Sequence, residues 1–397
     1  MSEVNFACFK PDLAGNVSGM KITAVKTTPL LVPYKKPYYW AQGVIHGAEV
    51  LLVSVETDVG VTGYGESIAT PNPSAVSGFL EQAGAMCVNQ DPFQNAGLME
   101  NAYQALFQAL GTCSAPRFAG QVLAGLEMAL WDVMGKAVDR PVHQLLGGAV
   151  REEISYFGFA MGETAEEVAS DAVTLAESGI ETIYIKAGRG DALDLATVRA
   201  VRNAIGPDKR LRVDANEKWS PVRARRMIAA MVQCGVEMVE QPTPADSLAA
   251  LATVRRASPV AIGADQVNFT PEDVAATLAA DAADLIVLGL HETGGINRFV
   301  KAGRIGEAAG VDICIHGLYE TGITTSAAMQ AGAVLPNLDD ANQYMNHFLE
   351  WDILDGDVLT LRDGRLPVNQ NPGLGFALDM DAVQRAHAFW KSKQDEA

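Results

Sequence analysis

Short apolar runs recur through the second half of the chain, and most of them end in a polar residue. The runs are TIYIKAG, RLRVDAN, VEMVEQP, PVAIGAD, DLIVLGL, VDICIHG and HFLEWD. Segments with helical periodicity, such as PVRARRMIAAMVQCG, separate them, so that a strand and a helix alternate about every 25 residues. This alternation is typical of a parallel β/α barrel, and it predicts an α/β fold of the TIM type.

Three consecutive runs end in an acid, namely Asp214, Glu240 and Asp265. In a barrel the carboxyl ends of neighbouring strands converge on the active-site face, so these carboxylates are expected to lie side by side. Three adjacent carboxylates repel one another, and a hard divalent cation is the simplest way to keep them ionised. Oxygen ligands that leave room for water and substrate favour magnesium over zinc or copper.

The alternative is that each acid only caps the helix that follows its strand, as Asp often does in such loops. Lys186 ends the run one unit before the acids, and His316 ends the run two units after them. A lysine, three acids and a histidine at successive strand ends favour a reactive site over a set of helix caps.

The first part of the chain has a different pattern. From Met20, KITAVKTTPLLV and AEVLLVSVETDVGVTGYGES alternate like antiparallel strands, whereas FAGQVLAGLEMALWDVMGKAV has helical periodicity. We therefore predict an α+β domain over residues 20–150 and the barrel over residues 151–365. Residues 1–19 contain Pro, Gly and Asn without periodicity, so they are predicted to form a flexible leader.

Composition restricts the partners that the protein can have. The formal net charge is -18 and the pI is about 4.7, which argues against nucleic-acid and anionic-membrane surfaces because both need clustered Lys and Arg. The sequence has no signal-peptide pattern, and its five cysteines have neither disulfide-framework nor zinc-site spacing. We therefore expect a cytoplasmic protein that acts on a small molecule, with no nucleic-acid or membrane partner.

These residues resemble a known family, the enolase superfamily, in its mandelate racemase and muconate lactonizing enzyme branch. GYGES (residues 63–67) is similar to a turn in that family's capping domain, and GLEMALWDVMGKAVDRPVHQLLGG (residues 125–148) resembles the helix leading into its barrel. IKAG resembles the second-strand lysine motif, VDAN, VEQP and GADQ resemble the metal-ligand strands, and ETGGI resembles the sixth-strand turn. The resemblance covers nearly the whole chain.

The resemblance implies a modified (β/α)8 barrel under an α+β capping domain built from both chain ends, so that residues 366–397 return to the first domain. It implies one Mg²⁺ per subunit, held by Asp214, Glu240 and Asp265, and a homo-oligomer, either a dimer or an octamer. The implied chemistry is removal of the proton α to a carboxylate, through an enediolate intermediate. Electrostatics supports this chemistry, because proton removal adds negative charge to the substrate carboxylate, and that charge needs preorganised positive charge beside it.

Lys186 is the predicted base, since a lysine near a divalent cation in a closed pocket has its pKa lowered toward ~7–8. Tyr184 stands where the family usually has the first lysine of a Lys-x-Lys pair, and it is predicted to contact substrate. Gly289 stands where relatives place a sixth-strand Lys, or an Asp that pairs with a seventh-strand His. His316 matches that histidine, so it is the predicted acid/base on the opposite face, although no partner for it is evident. The alternative is a neutral His that hydrogen-bonds the substrate.

The substrate prediction depends on a few aromatic residues. PYKKPYYWAQGVIHG corresponds to the loop that closes over substrate in this family. Its Tyr38, Tyr39 and Trp40 supply aromatic rings, and Tyr39 and Trp40 are the predicted substrate contacts. Glu350 resembles an eighth-strand glutamate that binds the substrate carboxylate. Aromatic rings favour a compact carboxylate with an apolar ring or a cationic nitrogen. In the family this pattern resembles enzymes of proline derivatives. We therefore predict dehydration of a 3-hydroxyproline, as in a cis-3-hydroxy-L-proline dehydratase, because acid/base groups on one face complete a syn elimination.

Other activities stay open at this point. A racemase or epimerase of proline betaine or of an amino-acid derivative needs acid/base groups on both faces, and a sugar-acid dehydratase is a further alternative. A metal-dependent hydrolase would ordinarily use several histidine ligands, whereas this chain has six histidines and no HxH pair. A catalytically silent relative would have lost the ligands or the base.

Overall fold

The computed structural model describes residues 19–70, 72–108 and 116–395, so the leader predicted over residues 1–19 lies outside these ranges except for its last residue. A three-stranded antiparallel sheet begins the described chain. Its strands are β1 (Ile22–Trp40), β2 (Gly43–Thr57) and β3 (Thr62–Ile68). The β-branched alternation seen in the sequence produces this sheet, because one face packs on helices and is buried.

Two helices cover this sheet, α1 (Pro73–Cys87) and α3 (Pro116–Ala137), and α2 (Asn95–Tyr103) packs on both of them. Helix α3 lies so close to β3 that a Cβ on Gly65 would come within 2.1 Å of the Gly125 carbonyl oxygen. The GYGES sequence therefore has glycine because the helix backbone contacts the strand there, and this contact fixes α3 beside the barrel entrance.

The remaining helices and strands alternate along the chain. They are α4 (Val142–Leu145), β4 (Glu153–Ser155), β5 (Gly158–Ala160), α5 (Ala165–Glu177), β6 (Thr182–Lys186), α6 (Asp191–Ile205), β7 (Arg210–Asp214), α7 (Pro221–Val232), β8 (Met238–Glu240), α8 (Leu248–Ala257), β9 (Ala261–Ala264), α9 (Pro271–Ala279), β10 (Leu285–Gly289), α10 (Leu290–Thr293), α11 (Ile296–Ala309), β11 (Asp312–His316), α12 (Gly322–Gly332), β12 (Arg365–Pro367) and α13 (Met380–Asp395). Strands β5 to β11 form one parallel sheet in chain order. This confirms the predicted β/α barrel type of fold.

The gap between β11 and β5 is bridged by irregular chain over residues 338–343. Leu338 makes a parallel bridge with Ile313, and Asn342 makes one with Tyr156. The eighth strand that the sequence suggested at HFLEWD is therefore wrong, because the segment over residues 346–348 is a 3-10 turn. Its Phe348 is buried and packs on Tyr38, so hydrophobic packing rather than strand pairing explains the apolar run.

The last helix lies on the first sheet. In α13, His387 Nδ1 donates to the Pro29 carbonyl oxygen at 2.8 Å, and Trp390 Nε1 donates to Glu49 Oε1 at 3.0 Å. Among the described residues, no helix has the length and apolar character needed to cross a membrane.

Candidate active site

Strand register places the predicted lysine and two of the acids in one row. Lys186 pairs with Asp214 across β6 and β7, and Asp214 pairs with Glu240 across β7 and β8. Side chains of residues paired in register point to the same face of a sheet. These three groups therefore converge at the carboxyl ends of neighbouring strands, as the sequence predicted.

Lys186 is paired with an acid and enclosed by rings. Its Nζ donates to Asp214 Oδ2 at 2.6 Å and lies 5.3 Å from the centroid of the Phe159 ring and 5.8 Å from that of Tyr38. Burial lowers the pKa of Lys186, but Asp214, Tyr38 and Glu240 raise it, and the pKa lies well above its usual value. The lowered pKa expected from the sequence applies to Lys186 beside a bound cation, which would share the charge of Asp214, so it stays a prediction.

The acid row fits a divalent cation. Burial raises the pKa of Glu240 well above its usual value, and the charges of Asp214 and Asp265 raise it further. Burial is also the main reason that the pKa of Asp265 is raised, to about 7. Within the described part of the chain, neither carboxylate oxygen of Asp265 accepts a hydrogen bond. Buried, mutually repelling oxygen ligands with lone pairs to offer are the ligand set that Mg²⁺ prefers.

His316 has a partner, which corrects the sequence prediction. Its Nδ1 lies 2.8 Å from Glu292 Oε2, and both residues are buried. Burial lowers the pKa of His316, but Asp265 and Glu292 raise it to about 10. The acid is therefore supplied by the short helix α10 rather than by the end of β10, where Gly289 stands.

Gly289 is required by this arrangement. A Cβ at Gly289 would come within 2.6 Å of Glu292 Oε2 and 3.3 Å of the His316 carbonyl oxygen. A larger residue at the strand end would displace the carboxylate from the imidazole. Ligand atoms of Asp265, Glu292 and His316 also lie within 4.8 Å of one another. Asp265 also belongs to the acid row, so this group places the Glu292–His316 pair beside the proposed cation site.

One cavity of about 180 Å³ joins the two sides of the site. Lys186 and His316 both line it, and so do Trp40 and three residues that the sequence analysis did not single out as substrate contacts: Tyr38, Arg117 and Tyr319. Tyr38 was named among the rings of the loop but not as a substrate contact; it lines the cavity because Tyr38 and Trp40 share a face of β1. No sequence signal marks Arg117, which reaches the cavity from α3 through domain packing.

Three predicted substrate contacts lie outside the lining of this cavity. Tyr39 points to the other face of β1, and the Arg189 guanidinium carbon lies 5.2 Å from the centroid of its ring. Tyr184 is buried, where its ring stacks 4.3 Å from that of Phe157. Glu350 is exposed and lines a different groove of about 350 Å³. Strand alternation explains the placement of Tyr39, and the absence of a strand at HFLEWD explains that of Glu350.

Comparison with known proteins gives the family. The family profile "Mandelate racemase / muconate lactonizing enzyme, N-terminal domain" matches residues 22–147, and "Enolase C-terminal domain-like" matches residues 167–382. The chain belongs to the enolase superfamily. Its relatives in this superfamily include muconate cycloisomerase 1 of Rhodococcus opacus, with 30% identity over 93% of this chain and 99% of that protein.

Two further relatives within the enolase superfamily are epimerases. The L-Ala-D/L-Glu epimerase of Bacillus subtilis (strain 168) is 30% identical over 90% of this chain and 97% of that protein. The crystal structure of a dipeptide epimerase from Enterococcus faecalis V583, complexed with Mg and the dipeptide L-Leu-L-Tyr, superimposes with a TM-score of 0.83. It is 28% identical and covers 90% of this chain and 99% of that one. The predicted superfamily branch is therefore confirmed.

Proposed function

We propose that this protein is a Mg²⁺-dependent racemase or epimerase that inverts the carbon α to a carboxylate in a small molecule. The observation that carries the proposal is that Lys186 and a carboxylate-paired His316 line one cavity. Inversion needs one group to remove the α-proton and another to return a proton to the opposite face. A lysine and a histidine from opposite sides of the strand row meet that need.

Each side chain has a distinct task in this reaction. Lys186 and His316 exchange protons with the α-carbon from its two faces, and each is the base for one stereoisomer and the acid for the other. Glu292 fixes the tautomer of His316 and stabilises its imidazolium form, as the acid of a catalytic triad does. Asp214, Glu240 and Asp265 would hold the cation. Bound Mg²⁺ supplies the positive charge that stabilises an enediolate at neutral pH.

The second candidate is the dehydratase predicted from the sequence, acting on a cyclic amino acid of the 3-hydroxyproline type. The argument for it was that only one acid/base group remained, and the Glu292–His316 pair removes that argument. The aromatic lining of the cavity still favours the dehydratase. The Tyr319 ring centroid lies 6.3 Å from that of Tyr38 and 6.3 Å from that of Trp40. The domain boundaries, the cytoplasmic location and the dimer or octamer stay predictions.

Proton NMR in deuterated water with Mg²⁺ tests the proposal. Both stereoisomers of dipeptides, N-acyl amino acids and proline betaine, together with cis-3-hydroxy-L-proline, are supplied in turn. We expect a substrate to be found among the acyclic or betaine compounds, with deuterium entering at the α-carbon and configuration inverting. Formation of a pyrroline carboxylate from hydroxyproline, without α-inversion of any compound, would instead establish the dehydratase.

Single-base variants make the test specific to the two faces. In Lys186→Met and His316→Asn, inversion is expected to fall by at least about 10²-fold, while each variant still exchanges the α-proton of one stereoisomer. The stereoisomer whose α-proton still exchanges should differ between the two variants. Lys301→Met is the matched control, since Lys301 pairs with Glu272 on the surface, and it should behave as wild type. Exchange of the α-proton of the same stereoisomer in both variants would exclude a two-face mechanism.

A further inference from the structure

We propose that Arg117 is a specificity residue that binds a second anionic group of the substrate, so that the substrate is a dianion such as a dicarboxylate. This inference rests on the function proposed for the same cavity. It names a substrate class that differs from the cyclic amino acids considered above.

Arg117 is held in place by a ring, and its guanidinium has one acid nearby among the described residues. Its guanidinium carbon lies 4.1 Å from the centroid of the Phe269 ring, a cation–π contact that leaves the edge of the guanidinium available. The nearest acid oxygen, Glu292 Oε1, is 3.9 Å away, beyond hydrogen-bond distance. Within the described ranges the guanidinium donates no hydrogen bond, and its side chain is 45% exposed in the cavity wall.

Helix packing fixes the position of Arg117 relative to the catalytic groups. A Cβ on Gly120 of α3 would come within 2.3 Å of the Glu292 carbonyl oxygen, so the two backbones are in direct contact. Seven residues further along α3, Glu127 accepts hydrogen bonds from the backbone of Ile296 at 2.7 Å and Asn297 at 3.0 Å. The backbone that carries Arg117 is therefore packed directly against the segment that carries Glu292, and a specificity residue requires such support.

The chemistry of this position fits a carboxylate. Arginine presents a planar fork of N–H donors that matches a carboxylate in a bidentate arrangement. Gln121 follows one helical turn later, lines the same cavity and adds an amide. The acid row and Mg²⁺ would account for the reacting carboxylate, so Arg117 in the same cavity is available for another anionic group.

A competing explanation is that Arg117 only stabilises the Glu292 carboxylate through its charge. In that case its removal would change turnover of every substrate alike and would leave ligand selectivity unchanged. A pair of ligands that differ only in the distal charge separates the two explanations. N-succinyl-L-alanine and N-butanoyl-L-alanine are such a pair, because a methyl group replaces the terminal carboxylate in the second.

Isothermal titration calorimetry of the intact protein with saturating Mg²⁺ measures both ligands. Wild type is expected to bind N-succinyl-L-alanine about 10- to 100-fold more tightly than N-butanoyl-L-alanine, the usual effect of a charge-assisted hydrogen bond. Arg117→Met should bind the two equally. Arg298→Met is the matched control, since Arg298 also lies over a ring, that of Tyr103, outside this cavity, and it should keep the preference.

Each result decides the proposal. Equal affinity of the two ligands for wild type, no measurable binding of either, or an unchanged preference in Arg117→Met would overturn it. Binding needs no turnover, so the proposed function is tested separately by the deuterium experiment. Preference for the dianion without any α-proton exchange would leave the Arg117 subsite standing and reject the racemase. Exchange of the α-proton without a preference for the dianion would support the racemase and reject the Arg117 subsite.

Discussion

The two sides of the cavity are built in different ways. On one side, Lys186, Asp214 and Glu240 stand at the ends of adjacent strands, paired in register. On the other side, Glu292 comes from the short helix α10 and contacts His316. Arg117 comes from α3, which packs on α10, and lines the same cavity. Strand register alone sets the first side, whereas the second depends on contacts between elements distant in sequence.

This difference has an energetic counterpart. The carboxylates of the strand side repel one another, because burial and the charges of Asp214 and Asp265 raise the pKa of Glu240. On the helix side the charges match, since His316 lowers the pKa of Glu292 despite its burial. The strand side therefore needs a cation to become stable, whereas the helix side is internally neutralised.

The largest effect is expected from Glu240→Gln. Loss of one charged ligand should lower kcat/KM by at least about 10³-fold and weaken Mg²⁺ binding, because the cation stabilises most of the developing charge. In the metal-free protein the same change should raise the free energy of unfolding by about 1–2 kcal/mol, since it removes repulsion among buried carboxylates. Calorimetric Mg²⁺ titration and thermal denaturation in EDTA measure the two effects.

Glu237→Gln is the matched control on the same β/α unit. Glu237 accepts hydrogen bonds from Arg210 at 3.0 and 2.9 Å and from Arg212 at 2.7 Å, just before β8 begins. Its substitution should lower stability and leave Mg²⁺ affinity unchanged. A metal-free Glu240→Gln protein that is less stable than wild type would show that the strand side is not under electrostatic strain.

The same contrast explains what the sequence could predict. The period of about 25 residues locates Asp214, Glu240 and Asp265 because each follows an apolar run, and parallel strands bring such ends together. Glu292 was visible in ETGGI, but its contact with His316 depends on the turn that α10 makes after Gly289. The sequence indicated Tyr38 among the rings of the loop, and strand alternation would have selected it as a substrate contact in place of Tyr39. The position of Arg117 depends on how α3 packs on α10, which no local pattern encodes.

Gly289→Ala tests how the helix side is positioned. The added Cβ would overlap Glu292 Oε2, so the carboxylate should move from His316 and kcat should fall by about 10²-fold, as misplaced catalytic groups commonly cause. In a Glu292→Ala background the overlap disappears, and Gly289→Ala should then change kcat by less than about threefold. This non-additivity in a double-mutant cycle is the expected signature of direct contact.

Deuterium exchange provides the second measurement for this cycle. If Glu292 acts only through His316, Glu292→Ala should keep the exchange that Lys186 catalyses on its own face and lose the exchange of the other stereoisomer. A general disruption of the fold would reduce both exchange rates together. Additive effects of Gly289→Ala and Glu292→Ala on kcat would contradict the positioning role of Gly289.

The smallest effect is expected at Glu127, which docks α3 on the backbone of Ile296 and Asn297. Burial raises the pKa of Glu127 from 4.5 to about 7, so the folded protein holds a proton that the unfolded chain has lost. This contribution to stability is complete below pH 4.5 and is lost as the pH rises through 7. In urea denaturation without metal, Glu127→Ala should therefore be less stable than wild type, and the difference should shrink by about 1–3 kcal/mol between pH 5 and pH 8.

The exposed Glu100→Ala is the control for this prediction, and its stability should follow that of wild type at every pH. Parallel plots of unfolding free energy against pH for wild type and Glu127→Ala would contradict it, because they would mean that the Glu127 carboxylate is ionised throughout. The three N–H donors to Glu127, which include Trp131 Nε1 at 2.8 Å, would then offset its burial.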